Sequence, residues 1–171
     1  MNNVYLISEK TLKENSIIND NVDPNYLDPA MDLAQNVGLQ QVIGTNLLDK
    51  LTSLVENGKI KEDENKAYKY LLDKYITNYL MYKVCSELTI ILGYKYRNAG
   101  VIQTNNDHTS NTAMSDAQYM KNYYDDKASF FAISMINYIK ANSEKYPEYG
   151  ETKAGGFKNN DMAFDTGIFL G

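Results

Sequence analysis

Few side chains in this sequence have the chemistry for acid–base or nucleophilic catalysis. The chain contains one histidine, His108, in a polar stretch, and one cysteine, Cys85, in a predicted helix. A histidine can act as a general base or a pH sensor, but no activated partner lies near His108, so we interpret it as an exposed loop residue. Cys85 occupies the most apolar part of its helix, where burial raises the pKa of a thiol and lowers its reactivity, so we interpret it as a core residue.

Acidic and glycine-containing clusters are the other candidate sites for chemistry. Residues 62–64 are all acidic, but they precede a predicted helix, whose N-terminal dipole favours carboxylates. Asp125 and Asp126 are interpreted as part of a solvated helix face rather than as ligands of a divalent metal. Gly155 and Gly156 lack the preceding strand and the following helix of a phosphate-binding loop. We therefore expect no catalytic residue, no cofactor, no metal site and no enzyme activity.

The composition indicates a folded protein and argues against some classes of binding partner. The chain has 171 residues, of which 43% are hydrophobic, enough for one domain with a core. Its 17 basic and 22 acidic side chains leave a net charge of −5, without the basic surface that is typical of nucleic-acid-binding domains. The N-terminus has no secretory signal, and no apolar stretch is long enough to cross a membrane. We expect a protein that works in the cytoplasm or in a particle assembled there.

Hydrophobic periodicity predicts an all-α fold, a small helical bundle with two long helices. The first spans about 63–92 and becomes apolar on all sides in its second half, which predicts burial by several neighbours. Its first half and the second long helix, at about 116–142, each carry one apolar face. The first face includes Tyr68, Leu71, Leu72, Tyr75, Ile76, Tyr79 and Tyr82, and the second Met120, Tyr124, Phe131, Met135 and Tyr138. Ser115 and Gln118 form a capping box at the start of the second long helix.

Shorter predicted helices form an N-terminal layer before the two long ones. Ser8 caps a brief helix within an arm at residues 1–24. Asn25 or Asp28 caps the next helix, which Gly38 ends. A third short helix follows and completes the layer.

A polar loop and a tail complete the predicted organisation. The helical domain spans residues 1–147 and includes the loop at 94–115, where Val101 and Ile102 are predicted to form a short strand. At about 20 residues, this loop exceeds the usual length of a connection, which suggests a functional or mobile segment. The tail spans residues 148–171 and is rich in glycine, but it carries large apolar side chains of the kind that dock on another surface. These candidate interface residues are Phe157, Met162, Phe164, Ile168, Phe169 and Leu170.

The order of these elements resembles that of the head-to-tail connector proteins of tailed bacteriophages, particularly phages that infect Bacteroidetes. The resemblance covers most of residues 1–142. It is carried by the proline-bracketed segment YLDPAMDLAQNVGLQQVIGTNLLDKL and by the tyrosine-rich closing helix QYMKNYYDDKASFFAISMINYI. The run at 105–112 and the tail at 148–171 match no defined element of that family.

This resemblance implies a structural virion protein at the junction of capsid and tail. Members of the family form a homo-oligomeric ring, typically of twelve copies, beneath the portal protein. The ring extends the DNA channel and receives the next tail component or adaptor. The family implies no catalytic residue, no membrane contact and only non-specific contact with the passing DNA. The arm, the loop and the tail would then reach neighbouring subunits and the portal.

Two alternatives stay open. A helical adaptor or regulatory protein would bind another protein through its aromatic helix faces, without forming a stable ring. A nucleic-acid binder would stack bases on the tyrosines, although such platforms need accompanying basic residues, and Arg97 is the only arginine in the chain. We prefer packing against another helix as the role of the tyrosines.

Overall fold

The computed structural model describes residues 4–18, 22–97, 100–103 and 114–151, together with Gly156 and Lys158. Helices make up most of these residues and enclose one hydrophobic core, which confirms the predicted all-α fold. The α-helices are α1 (Glu9–Asn15), α2 (Pro24–Leu33), α3 (Gln40–Ile43), α4 (Thr45–Glu56), α5 (Lys66–Leu71), α6 (Thr77–Gly93) and α7 (Met114–Ala141). The first π segment (Ala34–Leu39) joins α2 to α3, and the second π segment (Leu72–Ile76) joins α5 to α6. Short 3₁₀ turns lie at Lys59–Lys61, Asp63–Asn65 and Ser143–Lys145.

Side-chain caps determine where the first two helices begin. Ser8 accepts a hydrogen bond at 3.1 Å from the backbone N–H three residues later, which confirms the predicted cap of α1. Helix α2 begins at Pro24, and Asp23 caps it by accepting a bond from the N–H of Asn25 at 2.9 Å. The predicted caps, Asn25 and Asp28, are wrong, because a proline in the first helical position places the cap one residue before it.

The helix that begins at Pro24 continues through Gly38, which was predicted to end it. The first π segment carries the chain through Gly38 into α3, and Gly44, with a φ of 80°, forms the break before α4. Gly38 serves packing instead, because a Cβ at this position would lie 2.9 Å from the hydroxyl oxygen of Tyr79. The absence of a side chain therefore lets α6 approach the first π segment closely.

The described part of the N-terminal arm packs into the core. The backbone N–H of Leu6 donates to Gln35 Oε1 at 2.8 Å, and Gln35 Nε2 donates to the carbonyl of Val4 at 2.9 Å. Because Gln35 is only 3% exposed, these bonds satisfy polar groups that burial would otherwise leave unpaired. Residues 4–18 therefore belong to the helical body rather than extending to a neighbour as predicted. The buried apolar residues of this part are Leu6, Ile7, Leu12 and Ile18.

The first long helix runs through α5, the second π segment and α6, close to the predicted 63–92. Thr77 Oγ1 donates to the carbonyl of Leu72 at 2.9 Å and so satisfies an acceptor at the wider π turn. The predicted apolar face is buried or half-buried along its length. The second half is not surrounded on all sides as predicted, because Ile90 and Leu92 are 36% and 41% exposed.

Helix α7 packs antiparallel against the first long helix and forms the centre of the bundle with it. Tyr75 stacks on Tyr138 with 4.9 Å between ring centres, and Tyr82 stacks on Phe131 with 5.6 Å. These pairs set the register of the two helices. They also confirm that Phe131 and Tyr138 lie on the inner side of α7.

Helix α7 is 28 residues long and begins slightly before its predicted start. Ser115 lies inside the helix, so it is not the predicted cap. Met120 is 37% exposed and departs from the predicted apolar face. The buried side chains of α7 are Tyr124, Ala128, Ala132, Met135 and Ile139.

The predicted loop at 94–115 contains a β-hairpin in its described part. Strands β1 (Tyr94–Arg97) and β2 (Gly100–Gln103) pair antiparallel, with Lys95 opposite Ile102. The second strand includes the short strand predicted from the sequence. The polar run at 105–112 lies outside the described residues, and so do Phe157, Met162, Phe164, Ile168, Phe169 and Leu170.

Residues 146–149 hold the end of the helical body in place. Tyr146 is 1% exposed, and its hydroxyl donates to the carbonyl of Ala67 at 2.9 Å. The Tyr68 hydroxyl donates to Glu148 Oε2 at 2.8 Å. Tyr149 also packs against the core, so the body continues two residues past the predicted boundary at 147. Among the helices of the described ranges, none combines the length and the apolar character that a membrane span requires.

Candidate interaction site

The residues whose side chains could take part in catalysis or metal binding are buried, or paired with other side chains, where the structure describes them. Cys85 is buried, and burial raises the pKa of its thiol to about 11, which agrees with its interpretation as a core residue. The acidic residues 62–64 are exposed before α5, and Asp63 pairs with Lys66 at 3.0 Å. His108 lies outside the described residues.

Asp125, predicted to lie on a solvated face, is instead the centre of a half-buried ionic network. Its Oδ1 accepts a bond from Ser86 Oγ at 2.7 Å and pairs with Lys83 Nζ at 3.1 Å, and its Oδ2 pairs with Lys121. Lys83 also pairs with Glu87 at 3.0 Å. Burial alone would raise the pKa of Asp125. The hydrogen bonds from Lys121, Ser86 and Lys83 outweigh this effect and hold the pKa below its ordinary value.

The ionic network joins α6 to α7 and is balanced in charge. Its two ammonium groups and two carboxylates neutralise one another, so its evident role is to hold the two helices in register. Asp126, next to it on α7, is exposed as predicted. Within the described ranges, no group of three or more histidine, cysteine or acidic side chains is placed to hold a metal ion.

Three aromatic side chains are exposed in a row along α7. Tyr119 is 71% exposed, Tyr123 46% and Phe130 64%. At about 100° per residue, the three project within about 40° of one another and roughly 150° away from the buried side of α7. With a rise of about 1.5 Å per residue, they extend along roughly 16 Å of the helix. We call these three residues the aromatic stripe.

Neighbouring side chains support two rings of the aromatic stripe, Tyr123 and Phe130, without burying them. Tyr123 contacts Tyr124 edge-on with 5.4 Å between ring centres, and Phe130 contacts Phe131 in the same way, also at 5.4 Å. Lys127 Nζ lies 5.3 Å from the centre of the Tyr123 ring. The aromatic stripe is therefore an exposed aromatic surface on a long helix, held in place at Tyr123 and Phe130, with the exposed Asp126 between these two residues on the same face.

The aromatic stripe was not predicted, although the sequence contains a signal for it. Helix α7 carries two aromatic doublets, Tyr123-Tyr124 and Phe130-Phe131. Adjacent residues in a helix project about 100° apart, so only one member of each doublet can face the centre of the core. The other members therefore form a second apolar face on the solvent side.

The predicted tyrosine face packs against another helix, in agreement with the interpretation we preferred. Tyr138 of α7 lies 4.9 Å from Tyr75 and 5.4 Å from Tyr70, measured between ring centres. Tyr146 packs edge-on against Tyr68 at 5.6 Å and against Tyr138 at 6.1 Å. We call these five residues the tyrosine cluster. It lies along one side of α7 and reaches the surface at Tyr70, which is 48% exposed.

A groove with a volume of about 250 Å³ lies along another side of α7. Its walls come from the first π segment with α3, from α6 and from α7, and the Lys83–Asp125 pair lies within it. Because these segments lie far apart in the sequence, no local sequence pattern indicates the groove, and it was not predicted. Its lining includes Gly38, Val42, Tyr79, Ser129, Ala132 and Ile136.

The fold and these surfaces define an all-α bundle in which one long helix presents three different faces. Residues 39–158 match a family of unknown function, DUF6712, and the chain therefore belongs to that family. The matched range begins in the first π segment and includes α6 and α7, so it contains the aromatic stripe and most of the groove. No curated protein and no solved structure matches the chain.

Proposed function

We propose that this protein is a structural subunit of a connector ring in a tailed bacteriophage, the function that its resemblance to connector proteins implies. The ring would lie below the portal, join the capsid to the tail and extend the DNA channel. The aromatic stripe is the observation that carries the proposal. It is an aromatic surface on a well-anchored helix, and the described part of the chain does not cover it.

The energetics of the aromatic stripe suit contact between proteins. Burying one large aromatic side chain stabilises an association by roughly 1.5–3 kcal/mol before ordering costs. Those costs are small when rings are already held, as Tyr124 and Lys127 hold Tyr123 and as Phe131 holds Phe130. Clustered exposed aromatic residues are also the residue types that dominate binding energy at protein interfaces.

The body of the protein has properties that a ring subunit needs. Helix α7 is about 42 Å long at a rise of 1.5 Å per residue, and stacked rings and the ionic network join it to the first long helix. The pair is therefore a stiff spacer between the two ends of the subunit. The net charge of −5 also suits the wall of a DNA channel, because DNA is retained by basic contacts to its phosphates.

A helical adaptor or regulatory protein is the second candidate function. The aromatic stripe would serve such a protein equally well, and the exposed ring of Tyr70 offers it a second aromatic surface. An adaptor would bind a different protein and would not form a stable ring with its own copies. Stable assembly therefore separates the two candidates.

Affinity purification of the tagged protein from phage-infected cells tests the proposal. We expect a portal-type subunit to co-purify in equal copy number. We expect the Tyr119→Ser, Phe130→Ser double variant to lose that partner while it keeps its fold, because substitutions of exposed residues change stability by only about 0.5 kcal/mol. Ile17→Ser is the matched control, since Ile17 is 74% exposed but lies in the N-terminal segment.

One outcome would contradict the connector function, and a second would contradict the role of the aromatic stripe. Recovery of a host or phage regulatory protein without virion components would favour the adaptor. Recovery of the portal by the stripe variant and the control alike would show that the aromatic stripe is not the contact surface.

A further inference from the structure

The groove has the shape of a site for apolar side chains. Small residues line it on two walls: Gly38 on the first π segment, and Ala128 and Ala132 on α7. None of the three can enlarge without displacing neighbours, since both alanines are buried and a Cβ on Gly38 would meet the Tyr79 hydroxyl. A concave space of about 250 Å³ accommodates one or two large side chains, whereas the aromatic stripe is convex and suits another rigid surface.

The groove and the start of the tail lie on different sides of α7. The tail begins beyond Tyr149, close to Tyr146, which packs on Tyr138 in the tyrosine cluster. On α7, Ser129 and Ile136 line the groove. At about 100° per residue, the groove side and the tyrosine-cluster side of α7 are centred roughly 140° apart.

We propose that the groove binds one or two of the large apolar side chains of tail residues 162–170 from a second copy of the chain, an inference that rests on the proposed ring. This segment carries five of the six candidate interface residues, and all five are large and apolar. Residues 152–161 connect it to the body and span up to about 35 Å when extended. That length exceeds the roughly 20 Å thickness of two packed helices, so the segment reaches a neighbouring subunit.

The arrangement favours a second copy over the same chain. Residues 152–161 are long enough to reach the groove of their own chain as well, but they would first have to turn back around α7. Between two copies, a tail that leaves one side meets a groove on a different side of the next subunit. Such a head-to-tail interface repeats from copy to copy, and it closes into a ring when the rotation between copies allows.

Cross-linking between two full-length variants tests the docking. One variant carries Ser129→Cys in the groove, the other carries Ile168→Cys in the tail, and the two differ in tag size. Ser53→Cys on α4 is the matched control, because it makes the same change at an exposed position. The native Cys85 is buried and does not compete. With a short bismaleimide, we expect at least about tenfold more heterodimer from the groove variant than from the control, because docking raises the effective concentration.

Two cross-linking outcomes would overturn the proposal. Equal yields of heterodimer from the groove variant and the control would show that the tail does not enter the groove. In a single chain carrying Ser129→Cys and Ile168→Cys, cross-links that form only within the chain would show that the groove holds its own tail.

A groove-filling variant separates this inference from the proposed function. We expect Ser129→Trp to fill the groove and prevent assembly without reducing helix content, whereas Ser53→Trp has no effect. If Ser129→Trp assembles normally while the stripe variant fails to do so, the tail proposal is wrong and the connector function stands. If the groove cross-link forms but no portal subunit co-purifies, the tail docking stands and the connector function is wrong.

Discussion

Asp125 links the protonation of a single residue to the pairing of two helices. Its pKa lies below that of an unfolded chain, which is about 3.9. The ionised carboxylate therefore stabilises the fold at neutral pH, and this contribution is lost as the pH falls from about 4 through the lowered pKa.

Asp125→Asn should therefore destabilise the protein and flatten its pH dependence. We expect a loss of about 1–2 kcal/mol in the free energy of unfolding at pH 7, because two lysines lose their shared partner at a half-exposed position. The difference from the native sequence should shrink below about pH 4. Urea unfolding at several pH values measures both effects. Asp126→Asn is the control at the adjacent exposed position, and equal losses in the two variants would contradict the role of the network.

The close contact between Gly38 and Tyr79 is a second feature whose contribution to stability can be tested by substituting single residues. A Cβ on Gly38 would approach the Tyr79 hydroxyl to 2.9 Å. We expect Gly38→Ala to lower the free energy of unfolding in the native sequence. In the Tyr79→Phe background, which lacks that oxygen, the loss should be smaller by about 1 kcal/mol or more. A double-mutant cycle in urea measures this coupling. Additive effects of the two substitutions would show that the close approach has no energetic consequence.

The helices and the π segments differ in how well the local sequence predicts them. Periodic Leu, Ile and Tyr residues predicted the first long helix, and periodic Met, Phe and Tyr residues predicted the second. An apolar face that repeats at helical spacing is characteristic of an amphipathic helix. The π segments have no such local signal. The first occurs where Gly38 lets α6 approach, and that contact joins residues about 40 positions apart. The ionic network at Asp125 was missed for the same reason, since its α6 partners are 39 and 42 residues away.

The arm shows how a single side chain determines the position of an element. The buried Gln35 amide holds both Val4 and Leu6, and no pattern in the arm itself predicts that contact. The expectation that the arm reaches a neighbour followed from the resemblance to connector proteins rather than from the residues of the segment. The apolar residues of the arm, among them Leu12, are what bury it.

Gln35→Ala should detach the arm while the long helices stay folded. We expect a loss of about 2 kcal/mol in the free energy of unfolding, because the buried N–H of Leu6 and the partly buried carbonyl of Val4 lose their partners. The Leu6 amide should lose much of its protection in hydrogen exchange, and amides of α6 should change little. Asn36→Ala is the control, since Asn36 is exposed and adjacent. Unchanged protection at Leu6 would contradict the role of Gln35.

At the scale of the whole molecule, α7 separates three surfaces around one axis. The tyrosine cluster occupies one side, the aromatic stripe faces solvent and the groove lies on a third side. The hydrogen bond between Ser86 of α6 and Asp125 of α7 helps to fix the orientation of α7 relative to α6. A subunit with distinct surfaces on different sides is suited to contact two neighbours and a third protein at once.

Assembly through these apolar surfaces should resist salt. Screening weakens contacts between exposed charges, but it does not weaken apolar burial. If the proposed ring forms, we expect the oligomer of the full-length protein to keep its mass when the salt concentration rises from about 0.1 to 1 M. Light scattering coupled to size-exclusion chromatography measures this mass. Dissociation at high salt would contradict an interface centred on the aromatic stripe and the groove.

The most direct test of the central claim is quantitative mass spectrometry of purified phage particles. If the protein is a subunit of a connector ring, it is present in the virion in the same copy number as the portal subunit, and it stays with the portal when particles are disrupted. Absence of the protein from intact particles, despite its presence in the infected cell, would contradict the structural role.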